Sequence, residues 1–279
     1  MRMAAATVPA SRNPEVPREK VRAFNRALTA LAAMNIPFGV GGALALYYYT
    51  GIRRELHDID LHILPRDVEP AVRALRADGF DAGIKHAGWL AQAWLGDAQV
   101  DFVFGQGSWH DSVTESWLAG PRSILFDHPV TFVPPTEFFY SKAMRCSRMR
   151  YDAPDLFHLL AAAGDQIDWN RLVDLFGDDW EVLLSHLVLY RYVFPSESCA
   201  VPERILNGLL ERLADARRSP PSIPLCRGTM LDTSGPYDQD ITERGYIDER
   251  DRRWQMRRAS EPILQHLEQV SETLRTSQR

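Results

Sequence analysis

The chain has 279 residues, of which 45% are apolar and 25% are charged, and these fractions are ordinary for a soluble globular protein. A net charge of −5 argues against a protein that coats nucleic acid over its whole surface. No apolar run approaches the roughly 20 residues that span a bilayer, so we expect no membrane partner. The cysteines are widely spaced, without a disulfide or zinc pattern, and predict a cytoplasmic setting; they are Cys146, Cys199 and Cys226.

The first part of the chain is predicted to mix helices and strands. Residues 1–16 are rich in Ala, Pro and Ser and predict a flexible tail. Residues 17–135 form the first predicted domain, because hydrophobic periods of helix and of strand both occur there. The predicted helices are 21–34, 43–49 and 68–77, and the predicted strands are 36–40, 57–64, 81–85, 89–95, 99–104 and 130–133.

After two consecutive prolines, Pro134 and Pro135, the pattern becomes almost entirely helical. Residues 136–218 therefore form a predicted helical domain, and residues 219–279 an irregular segment followed by a terminal helix. The predicted helices are 136–149, 155–163, 180–192, 202–216 and 253–275. The expected fold class is α+β, with a mixed sheet, flanking helices and a C-terminal helical domain.

Two aspartates lie two residues apart in the predicted strand 57–64. Side chains alternate along a strand, so Asp58 and Asp60 leave the same face, together with His62. Two adjacent carboxylates repel each other, and a bound cation relieves this repulsion. Mg²⁺ prefers oxygen ligands and usually takes few of them from the protein. This spacing therefore predicts a magnesium site, or a manganese site, that acts on phosphate groups.

A third aspartate lies in the apolar strand 99–104. Asp101 is the only charged residue in this run, and a lone acid among apolar residues needs a partner. A metal ion shared with Asp58 and Asp60 would supply that partner. A salt bridge to a structural arginine is the alternative.

Gly41 and Gly42 come between a predicted strand and a predicted helix. Glycines allow close backbone approach to a ligand, and a helix N-terminus suits a phosphate group. Arg54 is placed to contact a triphosphate or to brace the turn. Each feature alone also has a structural explanation: a packing turn for the glycines, a solvated face for the aspartates, a bystander role for His62. The specific signal is their order along the chain.

Val40-Gly41-Gly42 and Arg54-x-x-x-Asp58-Ile59-Asp60-Leu61 resemble the signature of the DNA polymerase β-like nucleotidyltransferases. Within this superfamily the chain resembles the bacterial group related to AbiEii-type toxins and to antibiotic nucleotidyltransferases. The resemblance covers residues 35–160. It implies the nucleotidyltransferase fold and the transfer of a nucleoside monophosphate from an NTP to an acceptor, with release of pyrophosphate.

The resemblance also implies roles for individual residues. Asp58, Asp60 and Asp101 would be the catalytic metal ligands, and Asp101 would in addition accept the proton of the acceptor. Gly41 and Gly42 would bind the triphosphate.

Two further motifs extend the resemblance beyond the glycines and the aspartates. The run 132–137 followed by Lys142 resembles the family's strand, turn and lysine-bearing helix, and Lys142 is a predicted nucleotide contact. Asp152-x-x-Asp155-Leu156 resembles the family's K-D-x-x-D-L motif, with Tyr151 in place of the lysine. The alternative for Asp152 and Asp155 is helix-start chemistry, as N-cap and first-turn acid.

Other functions remain open from the sequence. A non-catalytic nucleotide- or RNA-binding module is one alternative, and an AbiEii-like toxin that modifies RNA or protein is another. The predicted partners are an NTP and a hydroxyl-bearing acceptor, which can be a small molecule, RNA or protein. The segment from Cys226 to Tyr246 has a motif-like appearance without a derived role.

Overall fold

The computed structural model describes residues 16–107, 111–146, 150–196, 200–228, 241 and 243–276. Cys199, most of the predicted tail and part of the 226–246 segment lie outside these residues. The chain divides into two compact units. Among the described residues, the sheet unit comprises 16–134 and 253–276, and the helical unit comprises 135–252.

The sheet unit is built on a mixed seven-stranded sheet within the described residues, in the order β3-β4-β5-β2-β1-β7-β6. Its strands are β1 (Gly39–Val40), β2 (Asp58–His62), β3 (Asp81–His86), β4 (Leu90–Leu95), β5 (Ala98–Val103), β6 (Arg122–Leu125) and β7 (His128–Phe132). Strand β2 is parallel to β5 and antiparallel to β1, while β1 is parallel to β7. The mixed sheet agrees with the expected fold class.

The helices of this unit cover the apolar surface of the sheet. They are α1 (Arg18–Ala33), α2 (Gly42–Thr50) and α3 (Val68–Ala77), with the last part of α9 (Glu249–Ser260) and α10 (Pro262–Thr276). Helices α1 and α3 contact each other and pack on β5 and β3, respectively. Phe24, Leu28 and Leu31 of α1 are buried, as the helical period predicts. Burial of this stripe fixes the sheet from one side.

The helical unit is a bundle of short helices. They are α4 (Pro135–Ala143), α5 (Ala153–Ala163), α6 (Trp169–Phe176), α7 (Trp180–Val193) and α8 (Glu203–Arg218). Helix α4 contacts α5, α6 and α7, and α8 packs on α7. A parallel pair, β8 (Leu225–Cys226) and β9 (Ile247–Asp248), and the start of α9 complete the unit.

Strand β6 and helix α6 are among the elements that the sequence pattern missed, together with the short pair β8 and β9. Strand β6 pairs with β7 across Phe126 and Asp127, both of which have positive φ (48° and 67°). Such a two-residue turn usually carries Asn-Gly or Gly, and these residues gave no turn signal. Helix α6 was missed although Asp168 caps it by accepting a hydrogen bond from the Arg171 N–H at 3.0 Å.

Two predicted helices have different limits in the structure. The predicted terminal helix 253–275 is two helices, because Pro262 lacks the N–H that would continue the α9 ladder. Helix α4 ends at Ala143 instead of continuing to 149, and Cys146 forms a bridge with Tyr151. None of the helices that the structure describes is both long enough and apolar enough to cross a membrane.

Candidate active site

The pairing of two parallel strands brings two of the predicted aspartates side by side. Asp60 of β2 lies opposite Asp101 of β5, and Asp58 lies opposite Gln99. Residues opposite each other in neighbouring strands point to the same face of a sheet. The structure therefore places Asp58, Asp60 and Asp101 on one face, with Asp60 and Asp101 as direct neighbours.

The opposite face of the same strands is core. Ile59, Leu61, Val100 and Phe102 are buried, whereas the three aspartates are only half-buried. Strict alternation thus separates an apolar face from an acidic face within β2 and β5. The three aspartates are therefore partly exposed to solvent.

The Gly41-Gly42 turn lies directly against the acidic strand. The Gly41 N–H donates to the Asp60 carbonyl oxygen at 2.9 Å. Gly42 has φ of +55°, and a Cβ atom there would lie 1.7 Å from Asp60 Oδ2. Any other residue at position 42 would collide with the carboxylate and be strained in its backbone. The structure thus supplies a reason for this glycine that the sequence could not, its approach to Asp60 at the start of α2.

His62 is buried behind the first glycine, with 3% of its surface exposed. A Cβ atom on Gly41 would lie 2.4 Å from His62 Cε1, so this glycine makes room for the ring. The imidazole also stacks on Trp117, with ring centres 5.3 Å apart and planes at 17°. His62 shares the strand face of the aspartates, as predicted, but it packs there as part of the interior.

Two glutamines that the sequence reasoning missed bind Asp101. Gln92 Nε2 and Gln99 Nε2 both donate to Asp101 Oδ1, at 3.0 Å and 2.6 Å. Gln92 lies opposite Asp101 in the antiparallel pair β4–β5, and Gln99 is two residues before it on β5. A sequence signal existed, since each glutamine shares a strand face with Asp101, but the β4–β5 register was needed to use it.

The fit of a divalent cation rests on the chemistry of these oxygens. Mg²⁺ and Mn²⁺ bind carboxylate oxygens, and Mg²⁺ takes one or two carboxylates together with substrate phosphates. The neighbouring carboxylates of Asp60 and Asp101 suit that role, with Asp58 on the same face. Within the described ranges, no group of three or more His, Cys, Asp or Glu side chains is close enough to hold a metal ion by itself. The metal roles of the three aspartates stay predictions.

The two predicted nucleotide contacts besides the glycines lie in different surroundings. Arg54 is exposed in the loop between α2 and β2. Lys142, on α4, is 11% exposed and lies in the helical unit, where Asp152 and Asp155 bind it. Phosphate binding by Arg54 and Lys142 stays a prediction.

A second group of carboxylates thus surrounds Lys142. Its Nζ lies 3.0 Å from Asp152 Oδ2 and 3.1 Å from Asp155 Oδ2. Arg150 adds a bond from Nη2 to Asp152 Oδ2 at 2.9 Å and one from Nε to Oδ1 at 3.1 Å. We call Lys142, Arg150, Asp152 and Asp155 the lysine cluster.

The helix-cap alternative for Asp152 is wrong in one respect. Asp152 occupies the N-cap position of α5, but its side chain caps no N–H group of that helix, which the structure describes in full. The cations of the lysine cluster draw the carboxylate away from the helix N–H groups instead. Asp155 lies in the first turn and is buried.

The lysine cluster also determines the ionisation of Asp152. Burial by itself raises the pKa of this carboxyl, because it disfavours the charged form. The hydrogen bond from Arg150 and the charges of Lys142 and Arg150 outweigh burial, so the pKa of Asp152 lies below its ordinary value. Asp152 is therefore a carboxylate at neutral pH.

No protein-family model and no curated protein matches the chain. Among solved structures, it is similar to the antibiotic-resistance factor ANT(2'')-Ia, at 14% identity over 72% of this chain and 99% of that one, with a TM-score of 0.39. It is also similar to the lincosamide antibiotic adenylyltransferase LnuA in complex with lincomycin, at 12% identity over 53% of this chain and 99% of that one, with a TM-score of 0.39.

A tRNA-processing enzyme is similar at 15% identity over 75% of this chain and 68% of that one, with a TM-score of 0.29. An antibiotic-resistance factor and an antibiotic adenylyltransferase are thus among the solved structures that this chain is similar to. The link to AbiEii-type toxins is not shown.

Proposed function

We propose that this protein is a metal-dependent nucleotidyltransferase. It transfers a nucleoside monophosphate from an NTP to a hydroxyl group of an acceptor and releases pyrophosphate. The observation that carries the proposal is the register of β2 and β5, which sets Asp60 beside Asp101 with Asp58 on the same face. Like charges on paired residues repel, and a cation bound between these two carboxylates would relieve that repulsion.

In this proposal, the carboxylates of Asp58, Asp60 and Asp101 hold Mg²⁺ or Mn²⁺. The bound cations would supply charge neutralisation at the triphosphate and at the leaving pyrophosphate. The protein's own part is to hold Asp60 and Asp101 side by side on the sheet, as two carboxylates that would bind a cation together with substrate phosphates.

The Gly41-Gly42 turn brings the start of α2 against Asp60. A helix N-terminus presents unpaired N–H groups and a partial positive charge, both suited to a phosphate. We therefore assign the triphosphate to the N-terminus of α2, beside the carboxylates. The absence of a side chain at Gly42 is what permits this proximity.

The transfer requires no reactant besides the NTP and the acceptor. The acceptor oxygen forms a bond to the α-phosphorus, and the bond from that phosphorus to the bridging oxygen of pyrophosphate breaks. The hydroxyl proton goes to a carboxylate, for which we assign Asp101. Positioning and electrostatics carry this reaction class.

The test is transfer of radiolabel from each α-labelled NTP into the RNA, protein and small-molecule fractions of a cell extract. The intact protein is compared with Asp60→Asn and with Asp97→Asn, a matched control in the exposed turn between β4 and β5. We expect label in one fraction with the intact protein and the control only, and loss of transfer when EDTA removes divalent cations.

Two results would contradict the proposal. Equal labelling by Asp60→Asn and by the intact protein would remove the acidic face from the chemistry. NTP binding without transfer into any fraction, repeated with purified tRNA and with aminoglycoside and lincosamide acceptors, would favour the binding-module alternative. The fraction that carries label would also name the acceptor class.

A further inference from the structure

The hairpin of β4 and β5 carries two amide side chains in otherwise apolar strands. Strand β4 reads Leu-Ala-Gln-Ala-Trp-Leu, and Gln92 is its one residue with an amide side chain. Gln99 occupies the corresponding face of β5, two residues before Asp101. Both glutamines are half-buried, on the same face of the sheet as the three aspartates.

The two amides reach the same oxygen from different directions. Gln99 comes from within β5 and Gln92 from the neighbouring strand, and both donate to Asp101 Oδ1 at 2.6 Å and 3.0 Å. A carboxylate oxygen accepts hydrogen bonds through two lone pairs. Two donors on one oxygen leave Oδ1 little capacity to bind a cation or a proton as well.

We infer that Gln92 and Gln99 are positioning residues, which hold the Asp101 carboxylate in one orientation beside Asp60 and so set the affinity of the site for divalent cations. This inference rests on the proposed function. Neither glutamine contacts the reacting atoms; each acts through Asp101.

Amide side chains suit the positioning of Asp101 better than cationic side chains would. An amide orients a carboxylate and leaves its negative charge in place, whereas Lys142 neutralises the carboxylates that it binds. Asp101 also faces Asp60 in register, and repulsion between them would turn the Asp101 carboxylate away. The two hydrogen bonds to Oδ1 oppose that rotation of the Asp101 carboxylate. Outer partners of metal ligands typically change metal affinity by about 10- to 100-fold.

The experiment measures binding of Mn²⁺ to the full chain by electron paramagnetic resonance of the free ion, with and without a non-hydrolysable NTP analogue. The variants are Gln92→Met and Gln99→Met, which keep side-chain length and remove the donor, and the double variant. Gln255→Met, on the exposed surface of α9, is the matched control. Thermal unfolding accompanies each measurement, and Gln92→Ser or Gln99→Ser replaces any methionine variant that does not fold.

We expect each single variant to bind Mn²⁺ about tenfold more weakly than the wild type, with an unchanged control. The double variant should lose less than the product of the two single effects, because both donors serve one oxygen. Raising Mg²⁺ should restore the kcat of nucleotide transfer in the variants, which a purely structural defect would not allow.

The two hypotheses fail in different ways. Wild-type affinity in both single variants and in the double variant, together with loss of Mn²⁺ binding in Asp101→Asn, would overturn the inference and leave the proposed function standing. Absence of Mn²⁺ binding by the wild type with nucleotide present would overturn the proposed function and the inference with it.

Discussion

The two units of this protein differ in the side chains that are seen to bind their carboxylates. In the sheet unit, Asp101 accepts hydrogen bonds from the neutral amides of Gln92 and Gln99 and lies beside Asp60. In the helical unit, Asp152 and Asp155 are bound by cations of the lysine cluster. Neutral donors orient a carboxylate without cancelling its charge, whereas cations satisfy it.

Burial follows the same division. Asp155 and Lys142 are only 2% and 11% exposed, and an unpaired charge at such a depth would be strongly destabilising. The aspartates of the acidic face are half-buried and accessible to solvent. The pairing in the lysine cluster is therefore expected to contribute to stability, whereas the proposed function assigns the acidic face to ligand binding. The following four predictions test this division, beginning with the largest expected effect.

Asp60→Asn should lower kcat/KM for nucleotide transfer on the order of a thousandfold, because the proposed function makes Asp60 a ligand of the divalent cation, whose loss would remove several kcal/mol of charge stabilisation. Circular dichroism should show a folded protein. Steady-state kinetics with the fraction that accepts label provides the measurement, and Asp97→Asn is the control. A decrease of kcat/KM smaller than tenfold would contradict a catalytic role for the acidic face.

Lys142→Met should lower the free energy of unfolding by about 3 kcal/mol, since the buried charge of Asp155 loses its partner. Urea denaturation measures this change. The matched control is Arg66→Met, which breaks an exposed ion pair with Glu115 at 2.6 Å and should change the free energy of unfolding far less, because solvent screens this pair. Equal effects of both substitutions would show that the lysine cluster contributes no more than a surface pair.

Gly42→Ala should destabilise the protein by about 1–3 kcal/mol more than Gly96→Ala. The two glycines have nearly the same φ, +55° and +58°, so the cost of the backbone conformation is shared. At Gly96 no atom of the described chain lies within 4 Å of the added Cβ, whereas at Gly42 it would meet Asp60 Oδ2. Equal unfolding free energies for the two variants would contradict the close contact between the Gly41-Gly42 turn and Asp60.

The smallest effect concerns pH. The pKa of Asp152 is lowered in the folded protein, so its stabilisation is present above the ordinary carboxyl pKa of 3.8 and is lost as pH falls through the lower folded value. The difference in unfolding free energy between wild type and Asp152→Asn should therefore be full at pH 7 and shrink below pH 3.8. Urea titrations from pH 7 to pH 3 would show it, and a constant difference would contradict the role of the ionised form.

Sequence patterns predicted the strands that carry the acidic face because alternation is local. The prediction 57–64 contains β2 (Asp58–His62), and 99–104 overlaps β5 (Ala98–Val103). Strand β6 was missed because its hairpin turn, Phe126-Asp127, lacks the residues that usually mark positive φ. The predicted helix continues to residue 149, but α4 ends at Ala143. Cys146 pairs with Tyr151 instead, and a helical sequence pattern gives no sign of such a bridge.

The sequence by itself determined which residues share a strand face and which carry charge, because side-chain alternation and ionisation are properties of a few neighbouring residues. It thereby indicated Asp58, Asp60 and Asp101 as candidates. Only the tertiary structure decided that Asp60 faces Asp101, that Gln92 and Gln99 bind Asp101, and that Lys142 binds Asp152 and Asp155. Strand register and helix packing bring together residues that are separated in the chain. Local sequence patterns do not predict which of these residues become neighbours.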